Sequence, residues 1–440
     1  MPYNIRRLGF WTVDLLRKSP IRNEYKDIVT KMAVEPGNIP AIQNAQFQSI
    51  FKHAVETTPF YSAFRKASSL QDLPVINKIK ILDNYAQFRS AHFLGNNLRK
   101  MVTSGSSGIP FSIFQDQAKR RRVLAELIHF SALAGYNVGE RHAFFRVNVP
   151  TNDKSKRKLF LQNELMFDVL RQDVEHLEFQ RQALLRARPV RVLIGYVSAI
   201  HGLANYIIDC GDKPEAFGVR SAICLAEALT PSARTAIEKA FGCMAYSRYS
   251  NQENGILAQQ ISSELFRLNT SSYMFEFLKL DSDHPALPGE EARIVVTDLY
   301  NSAMPIFRYD TGDIGILTSD EEGYPALKQL SGRKSDKIID TSGIKLSPIA
   351  LFHCFYLAKG IRQFQVIQKD WATYTIKLNC DESVNLDKVI ARLVAVLGKN
   401  AQITIERVTE IPVLSSGKRR LAVQEYRPTD SQRTVTQSAA

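Results

Sequence analysis

The chain has 440 residues, 45% of them hydrophobic, enough for a large core and more than one domain. Its 57 Lys and Arg against 44 Asp and Glu give a net charge of +13, which suits small polyanionic partners. Nucleic acid is set aside, because no basic run is interleaved with aromatics and no helix-turn-helix, zinc or RNA-binding signature is present.

The element pattern in chain order then narrows the class. No apolar run reaches the roughly eighteen residues of a membrane span, so the chain reads as soluble. Ile5 to Lys18 is basic and amphipathic without the uncharged stretch or cleavage site of a signal peptide. It reads as a surface helix packed on the domain, with peripheral contact to a membrane interface as the alternative. The first hundred residues alternate helical apolar patterns with short loops. Thr103-Ser104-Gly105-Ser106-Ser107-Gly108-Ile109-Pro110 follows, glycines among hydroxyl residues, a loop rich in N–H and O–H donors that suits phosphate. It is not a Walker A loop, since Ile109 and Pro110 stand where the lysine and its neighbour would be.

Two basic runs come next, Lys119 to Arg122 in a helix-like segment and Lys154 to Lys158, and both read as solvated surface. Arg191 to Ile194 reads as a strand, Pro231 to Ala240 as a helix opened by Thr230-Pro231, and Ile294 to Thr297 as a buried strand. This alternation argues for an α/β domain. In Phe307-Arg308-Tyr309-Asp310-Thr311-Gly312-Asp313-Ile314-Gly315, Asp313 lies in a Gly-flanked turn whose two acceptor oxygens suit the vicinal hydroxyls of a ribose. Past Arg333 the pattern becomes α+β over about a hundred residues. It comprises a helix from Ser347-Pro348 through Ala358, paired strands at Phe364 to Ile367 and Tyr374 to Leu378, a helix from Asn385 to Leu397, and a strand at Ile403 to Ile405. Ser415-Ser416-Gly417-Lys418-Arg419-Arg420 then carries a mobile cation on a Ser/Gly-rich loop, and Thr429 to Ala440 reads as a disordered tail. The five cysteines, Cys210, Cys224, Cys243, Cys354 and Cys380, form no C-x-x-C pair, which argues for a reducing, cytoplasmic compartment. A zinc site from Cys210, Cys224, Cys243 and His201 matches no standard ligand spacing.

Taken singly, Tyr249 is equally a core aromatic, Glu253 a turn carboxylate and Lys418 a member of a basic tail. Their order carries more. With the Ser/Gly loop, Tyr249-Ser250-Asn251-Gln252-Glu253, the run ending in Asp313, Gly332-Arg333-Lys334 and the Lys418 loop, the chain resembles the adenylate-forming superfamily of acyl-CoA synthetases. The resemblance is closest to the phenylacetate-CoA ligase branch and its capsular-polysaccharide-biosynthesis relatives. It extends to Thr58-Pro59-Phe60-Tyr61, Leu73-Pro74-Val75-Ile76-Asn77-Lys78, Gly195-Tyr196-Val197-Ser198 and Ala226-Glu227-Ala228-Leu229, and thus covers nearly the whole chain. Val197 replaces the family's usual proline, and Ser250 and Gln252 replace its Gly and Thr.

The resemblance implies a large N-terminal α/β adenylation domain over residues 1–332 and a small mobile α+β C-terminal domain over residues 333–428, with a tail at 429–440. It implies activation of a carboxylic acid by ATP with Mg²⁺, release of pyrophosphate, and transfer of the acyl group to CoA or to an amine or sugar hydroxyl. Thr103, Ser104, Gly105, Ser106, Ser107 and Gly108 would cradle the phosphates, and Glu253 would hold Mg²⁺. Tyr249 would pack on adenine in a nucleotide site that includes Glu227, Asp313 would bind the ribose with help from Arg333, and Lys418 would bridge the carboxylate and the α-phosphate. Lys334 would be the hinge, and Tyr196, Val197 and Ser198 would wall the carboxylate pocket.

Overall fold

The computed structural model describes residues 4–93, 98–103, 111–146, 154–169, 174–261, 265–333, 338–342, 345–346, 351, 354–355, 358, 360–412 and 422–425. The chain divides into two compact units, Met1–Leu229 with Ala233–Thr311 and Gly315–Leu330, and Thr230–Ser232 with Gly312–Ile314 and Ser331–Ala440.

The first unit opens with helices α1 (Ile5–Leu16), α2 (Pro20–Met32), α3 (Ile39–Thr57), α4 (Pro59–Ser62) and α5 (Lys78–Asp83). Helical spacing in α3 lines up Phe47, Ile50, Phe51 and Ala54, and this face is buried against Tyr61, Phe88 and Phe307. The Tyr61 hydroxyl accepts the Phe307 backbone N–H at 3.1 Å, while Ile76 pairs with Arg308 and Asp310 by backbone bonds of 3.0 and 2.8 Å. The sequence segments around Tyr61 and Ile76 therefore brace the run that begins at Phe307.

Strands β1 (Arg99–Thr103) and β2 (Phe111–Gln115) pair antiparallel with Thr103 opposite Phe111, so the ends of the Ser/Gly loop are pinned together. Helix α6 (Gln117–Leu133) follows, with the Asp116 side chain accepting the Lys119 N–H at its N-cap. Strands β3 (His142–Arg146), β4 (Glu164–Asp168), β5 (Val192–Tyr196), β6 (Ser221–Leu225) and β7 (Met244–Asn251) then alternate with helices α7 (Lys156–Gln162), α8 (Val174–Ala187), α9 (Val197–Asp209) and α10 (Pro231–Phe241). These strands lie parallel in the order β4-β3-β5-β6-β7, as βαβ crossovers require. The sheet continues through β8 (Gly255–Gln260), β9 (Phe266–Leu268), β13 (Pro325–Arg333), β12 (Tyr309–Ser319), β11 (Glu291–Asp298) and β10 (Tyr273–Leu278), giving 11 strands. Antiparallel pairing begins at β7–β8. Beyond that point the sheet comes back on itself, and the Tyr273 hydroxyl on its far edge donates to the Asn254 carbonyl in the β7–β8 turn at 2.6 Å.

The second unit holds the short antiparallel pair β14 (Ile338–Ile339) and β15 (Lys345–Leu346) and a sheet in the order β18-β17-β16-β19, from β16 (Ile361–Asp370), β17 (Thr373–Cys380), β18 (Gln402–Arg407) and β19 (Ala422–Gln424). Val389, Leu393 and Leu397 of helix α11 (Leu386–Leu397) are buried with Val366, Tyr374, Ile376 and Leu378 of this sheet. The strands expected here from 364 onward are present with longer bounds, and the helix begins one residue later than expected, with Asn385 as its N-cap. Most of the helix expected from Ser347 to Ala358, and the tail from Thr429, lie outside the described residues.

Two expectations are corrected. The run Lys119 to Arg122 is not a solvated patch, since Lys119 and Arg122 are fully buried while Arg120 and Arg121 face out. A spacing of three puts the first and last residue on the inner face of α6, where ion pairs take up their charge. Likewise Lys154 is held by Glu164 at 2.7 Å, leaving Lys156, Arg157 and Lys158 exposed. Asp313 sits within strand β12, not in a turn. Gly312 takes its positive φ of 74° inside that strand, and a Cβ on Gly315 would lie 3.0 Å from atoms of Ile294, Leu327 and Gln329.

Gly195 fixes the spacing of the parallel half. A Cβ there would lie 2.3 Å from the Phe145 carbonyl oxygen on β3, and backbone cannot retreat. Gly195→Ala is expected to cost about 3 kcal/mol and to lower the melting temperature followed by circular dichroism. An unchanged melting temperature would mean that β3 and β5 can separate freely.

Glu164 gives a pH test. Burial pushes its carboxyl up, but hydrogen bonds and charge from His142 and Lys154 outweigh burial and hold it at about 2 against an ordinary 4.5. A carboxyl depressed on folding stabilises above its unfolded value and loses that contribution as pH falls through the folded one. The stability gap to Glu164→Gln should therefore be about 3 kcal/mol at neutral pH and shrink steadily below about pH 4.5. Urea unfolding at both pH values checks this, and a gap independent of pH would show that packing alone is responsible.

Candidate active site

The site begins in the turn between β7 and β8. Asn251 pairs with Gly255, which leaves Gln252, Glu253 and Asn254 at the tip, and the Asn251 side chain accepts the Asn254 N–H at 2.8 Å. Gly255 takes a φ of 124°, and a Cβ there would press on the Glu126 carboxylate and the Tyr273 hydroxyl at 3.0 and 3.1 Å. The turn thus sits directly on buried polar side chains.

Those side chains form one network. The Lys119 ammonium binds the Asp298 carboxylate at 2.7 Å and donates to the Tyr273 hydroxyl at 3.0 Å, and that hydroxyl holds the Asn254 carbonyl. One turn further along α6, the Arg122 guanidinium donates to Ser272 Oγ at 2.9 Å, to the Ser271 carbonyl at 2.7 Å and to Glu24 at 3.1 Å, reaches Asp27, and covers the Tyr300 ring at 4.0 Å. Burial pushes the Glu126 carboxyl above its ordinary value against the opposing charges of Lys119 and Arg122.

Above this base the functional side chains converge. Tyr309 Oη donates to Glu253 Oε1 and Gln115 Nε2 donates to the Glu253 carbonyl, both at 3.4 Å. Tyr249 is buried on β7, and its hydroxyl donates to Thr311 Oγ1 at 3.3 Å, which in turn donates to the Ile294 carbonyl at 2.9 Å. Asp313 follows two residues later on β12 and is half-buried. The structure therefore brings Tyr249, Glu253, Tyr309 and Thr311 together from strands 60 residues apart in the chain. Two charged members of the same run point elsewhere. Arg308, at a left-handed φ of 50°, clasps the Glu276 carboxylate and donates to the Leu73 carbonyl at 2.7 Å, and Asp310 pairs with Arg293 at 2.7 Å.

Glu227 lies at the carboxyl end of the parallel strands. It follows Ala226, whose φ is 68°, and its carboxylate accepts the Ser198 N–H at 2.6 Å and the Ser198 hydroxyl at 3.1 Å, capping α9. Burial, and then the Glu227 charge, push the Tyr196 hydroxyl above its ordinary value against the opposing charge of Arg146, which ends β3. Arg146, Tyr196 and Glu227 thus share one end of the sheet, where open α/β sheets bind ligands. Val197 is buried in the core beneath α9.

Ser104 to Gly108, Lys334, Lys418 and the side chains of Thr103 and Arg333 lie outside the described residues. Among the described residues no group of three or more His, Cys, Asp or Glu could hold a metal ion. All five cysteines are free, and burial pushes the Cys224 and Cys243 thiols up to about 12. Sequence reasoning missed Gln115, Lys119, Tyr273, Tyr309 and Thr311. Spacing within α6 could have found Lys119, but nothing local could have found Tyr273.

The fold is that of the adenylate-forming CoA ligases. It superposes on 2-hydroxyisobutyryl-CoA ligase in its postadenylation state with R3-HIB-AMP at a TM-score of 0.70, with 17% identity and 90% of each chain covered. Residues 338–425 match the CapK C-terminal domain. Over 435 residues the chain is 24% identical to Protein CapK of Staphylococcus aureus, covering 92% of this chain and 93% of that one. It is 21% identical to the phenylacetate-coenzyme A ligase of Escherichia coli (strain K12) over 352 residues, 75% of this chain and 78% of the other. The relationship read from the ordered motifs holds on both sides.

Tyr273→Phe tests the base of the turn. It removes the donor to the Asn254 carbonyl and one acceptor of the buried Lys119 ammonium, at a cost of about 2 kcal/mol in thermal unfolding. A loss below about 0.5 kcal/mol would mean that the turn does not depend on this hydroxyl.

Proposed function

We propose that this protein is an AMP-forming ligase that activates a carboxylic acid with ATP and passes the acyl group to CoA. The observation that carries the reading is the meeting of Glu253, Tyr309, Tyr249 and Thr311, joined to β2 through Gln115, in a chain with the fold of the adenylate-forming ligases. The acid's carboxylate oxygen attacks the α-phosphorus of ATP, the bond to pyrophosphate breaks, and the electron pair leaves with it. The acceptor sulfur then attacks the acyl carbon, AMP departs, and the thiol proton goes to solvent.

The first step gathers negative charge around phosphorus, so fixed donors and cations lower its barrier most. In this reading Thr103 to Gly108 supply donors to the β- and γ-phosphates. Lys418 supplies the cation between carboxylate and α-phosphate, and Asp313 and Arg333 hold the ribose. Tyr249 is seated too deeply for its whole ring to meet adenine, so its contribution is an edge and a hydroxyl that positions Thr311. Glu227 acts through Ser198 as the cap of α9 rather than by reaching the nucleotide. The half-buried Glu253 carboxylate is a hard oxygen donor of the kind Mg²⁺ prefers, so the residues fit that cation. When bound, Mg²⁺ would offset phosphate charge. Lys334 serves as the hinge between residues 1–332 and 333–428.

A second acceptor deserves a test alongside CoA. The match to Protein CapK covers more of the chain, at higher identity, than the match to the CoA ligase, so an amine or a sugar hydroxyl is tried beside the thiol.

Carboxylate-dependent exchange of labelled pyrophosphate into ATP, without CoA, over aryl, fatty and hydroxy acids, tests the first half-reaction apart from the acceptor. One acid class should support exchange, and Lys418→Ala and Glu253→Gln should each lower it at least about 100-fold with unchanged melting temperature. Exchange that survives in Lys418→Ala would overturn the role given to that lysine. Silence with every acid, despite ATP binding, would favour a nucleotide-binding scaffold.

A further inference from the structure

The face of α1 turned away from the protein is apolar along its whole length. At 100° per residue, Ile5, Leu8, Thr12, Leu15 and Leu16 fall on one side of the helix, and the four aliphatic side chains are 60–79% exposed. The opposite side is fully committed. Asp14 is buried and accepts the Ile21 and Arg22 N–H groups at 2.9 and 3.0 Å, while Trp11 packs on Tyr25 with ring centroids 6.0 Å apart. The bare face is therefore the one that α1 turns away from this unit.

A second element extends it. The Arg6 guanidinium lies 5.1 Å from the centre of the Phe160 ring, which joins α1 to α7, where Phe160 and Leu161 are 70% and 72% exposed. Around these apolar side chains stand Arg6, Arg17, Lys18, Lys156, Arg157 and Lys158. Neither helix has an acidic residue at its surface, since Asp14 is the only one in either and is buried. An isolated apolar stripe on a solvated helix would expose several large aliphatics to water without return.

We propose that α1 and α7 together form a docking face for an anionic lipid bilayer, with Ile5, Leu8, Leu15, Leu16, Phe160 and Leu161 entering the headgroup and acyl boundary and the basic rim meeting lipid phosphates. Charge decides between this and a second copy of the chain. Two such faces pressed together would bring like-charged rims into contact, whereas an anionic surface complements them. Docking of this kind would hold the enzyme beside lipid-linked or membrane-delivered substrates without a spanning helix, and no helix among the described residues is long and apolar enough to span.

Flotation of the full chain with vesicles tests the proposal independently of any catalytic reading. With phosphatidylcholine vesicles containing about 30% phosphatidylglycerol, the protein should float, and it should do so less with phosphatidylcholine alone or at high salt. The double variants Leu8→Glu/Leu15→Glu and Phe160→Ser/Leu161→Ser should each lower the partition coefficient at least about tenfold while melting at the temperature of the parent. Absence of flotation, or equal flotation by both variants, would overturn the proposal. So would a dimer in sedimentation equilibrium that these substitutions abolish in a protein that ignores vesicles.

Discussion

Two buried cations on one helix turn organise the first unit. Lys119 and Arg122 face inward from α6 with no exposed surface, so each must regain inside the protein what it loses in hydration. Lys119 finds Asp298 and Tyr273, while Arg122 finds Glu24, Asp27, Ser271, Ser272 and the face of Tyr300. Such pairs contribute little net stability against an apolar core, yet removing one member leaves a bare charge and costs several kcal/mol. Their value is geometric. The same contacts fasten α2, α6, the start of β10 and the end of β11 into one body, and through Tyr273 they seat the turn that presents Glu253.

That base explains how one sheet can serve two tasks. Its parallel half is closed in by α8, α9 and α10 and ends in a row formed by Arg146, Tyr196 and Glu227. Its antiparallel half curls from β7 until the edge strand β10 returns to the β7–β8 turn, and this brings Thr311 within reach of Tyr249 across intervening strands. The change from parallel to antiparallel occurs at β7, the strand that carries Tyr249 and leads to Glu253. Nucleotide-binding α/β sheets commonly place their ligands where strand order or direction changes.

Local pattern made much of this legible. The strand at Ile294 to Thr297, the helix at Pro231 to Ala240 and the elements after Phe364 depend on periodicity and caps within about ten residues, and they appear with only their ends moved. The family was legible for a different reason, because several ordered motifs are much less probable together than apart. What stayed hidden depends on distant partners. Lys119 and Arg122 look like solvated charges until Asp298 and Asp27 are brought to them, and the partners of Arg308 and Asp310, Glu276 and Arg293, are equally out of local reach. Asp313 was misread as a turn residue because two glycines flank it, whereas the strand continues past the single residue that takes a positive φ.

These pairings also change what the net charge of +13 means. Lys119, Arg122, Arg293 and Arg308 are buried and matched by carboxylates, so they add nothing to the field felt by an approaching polyanion. The excess must therefore reside on exposed groups, among them Arg120, Arg121 and the basic residues around α1 and α7. Arg120 and Arg121 lie on the helix that follows the Ser/Gly loop, where they can raise the local concentration of a nucleotide. Those around α1 and α7 surround apolar side chains instead. In the two readings proposed, the same surplus would serve anions of different kind, a soluble polyphosphate at the helix beyond the loop and an extended anionic surface at α1 and α7, and only the second also needs exposed apolar side chains.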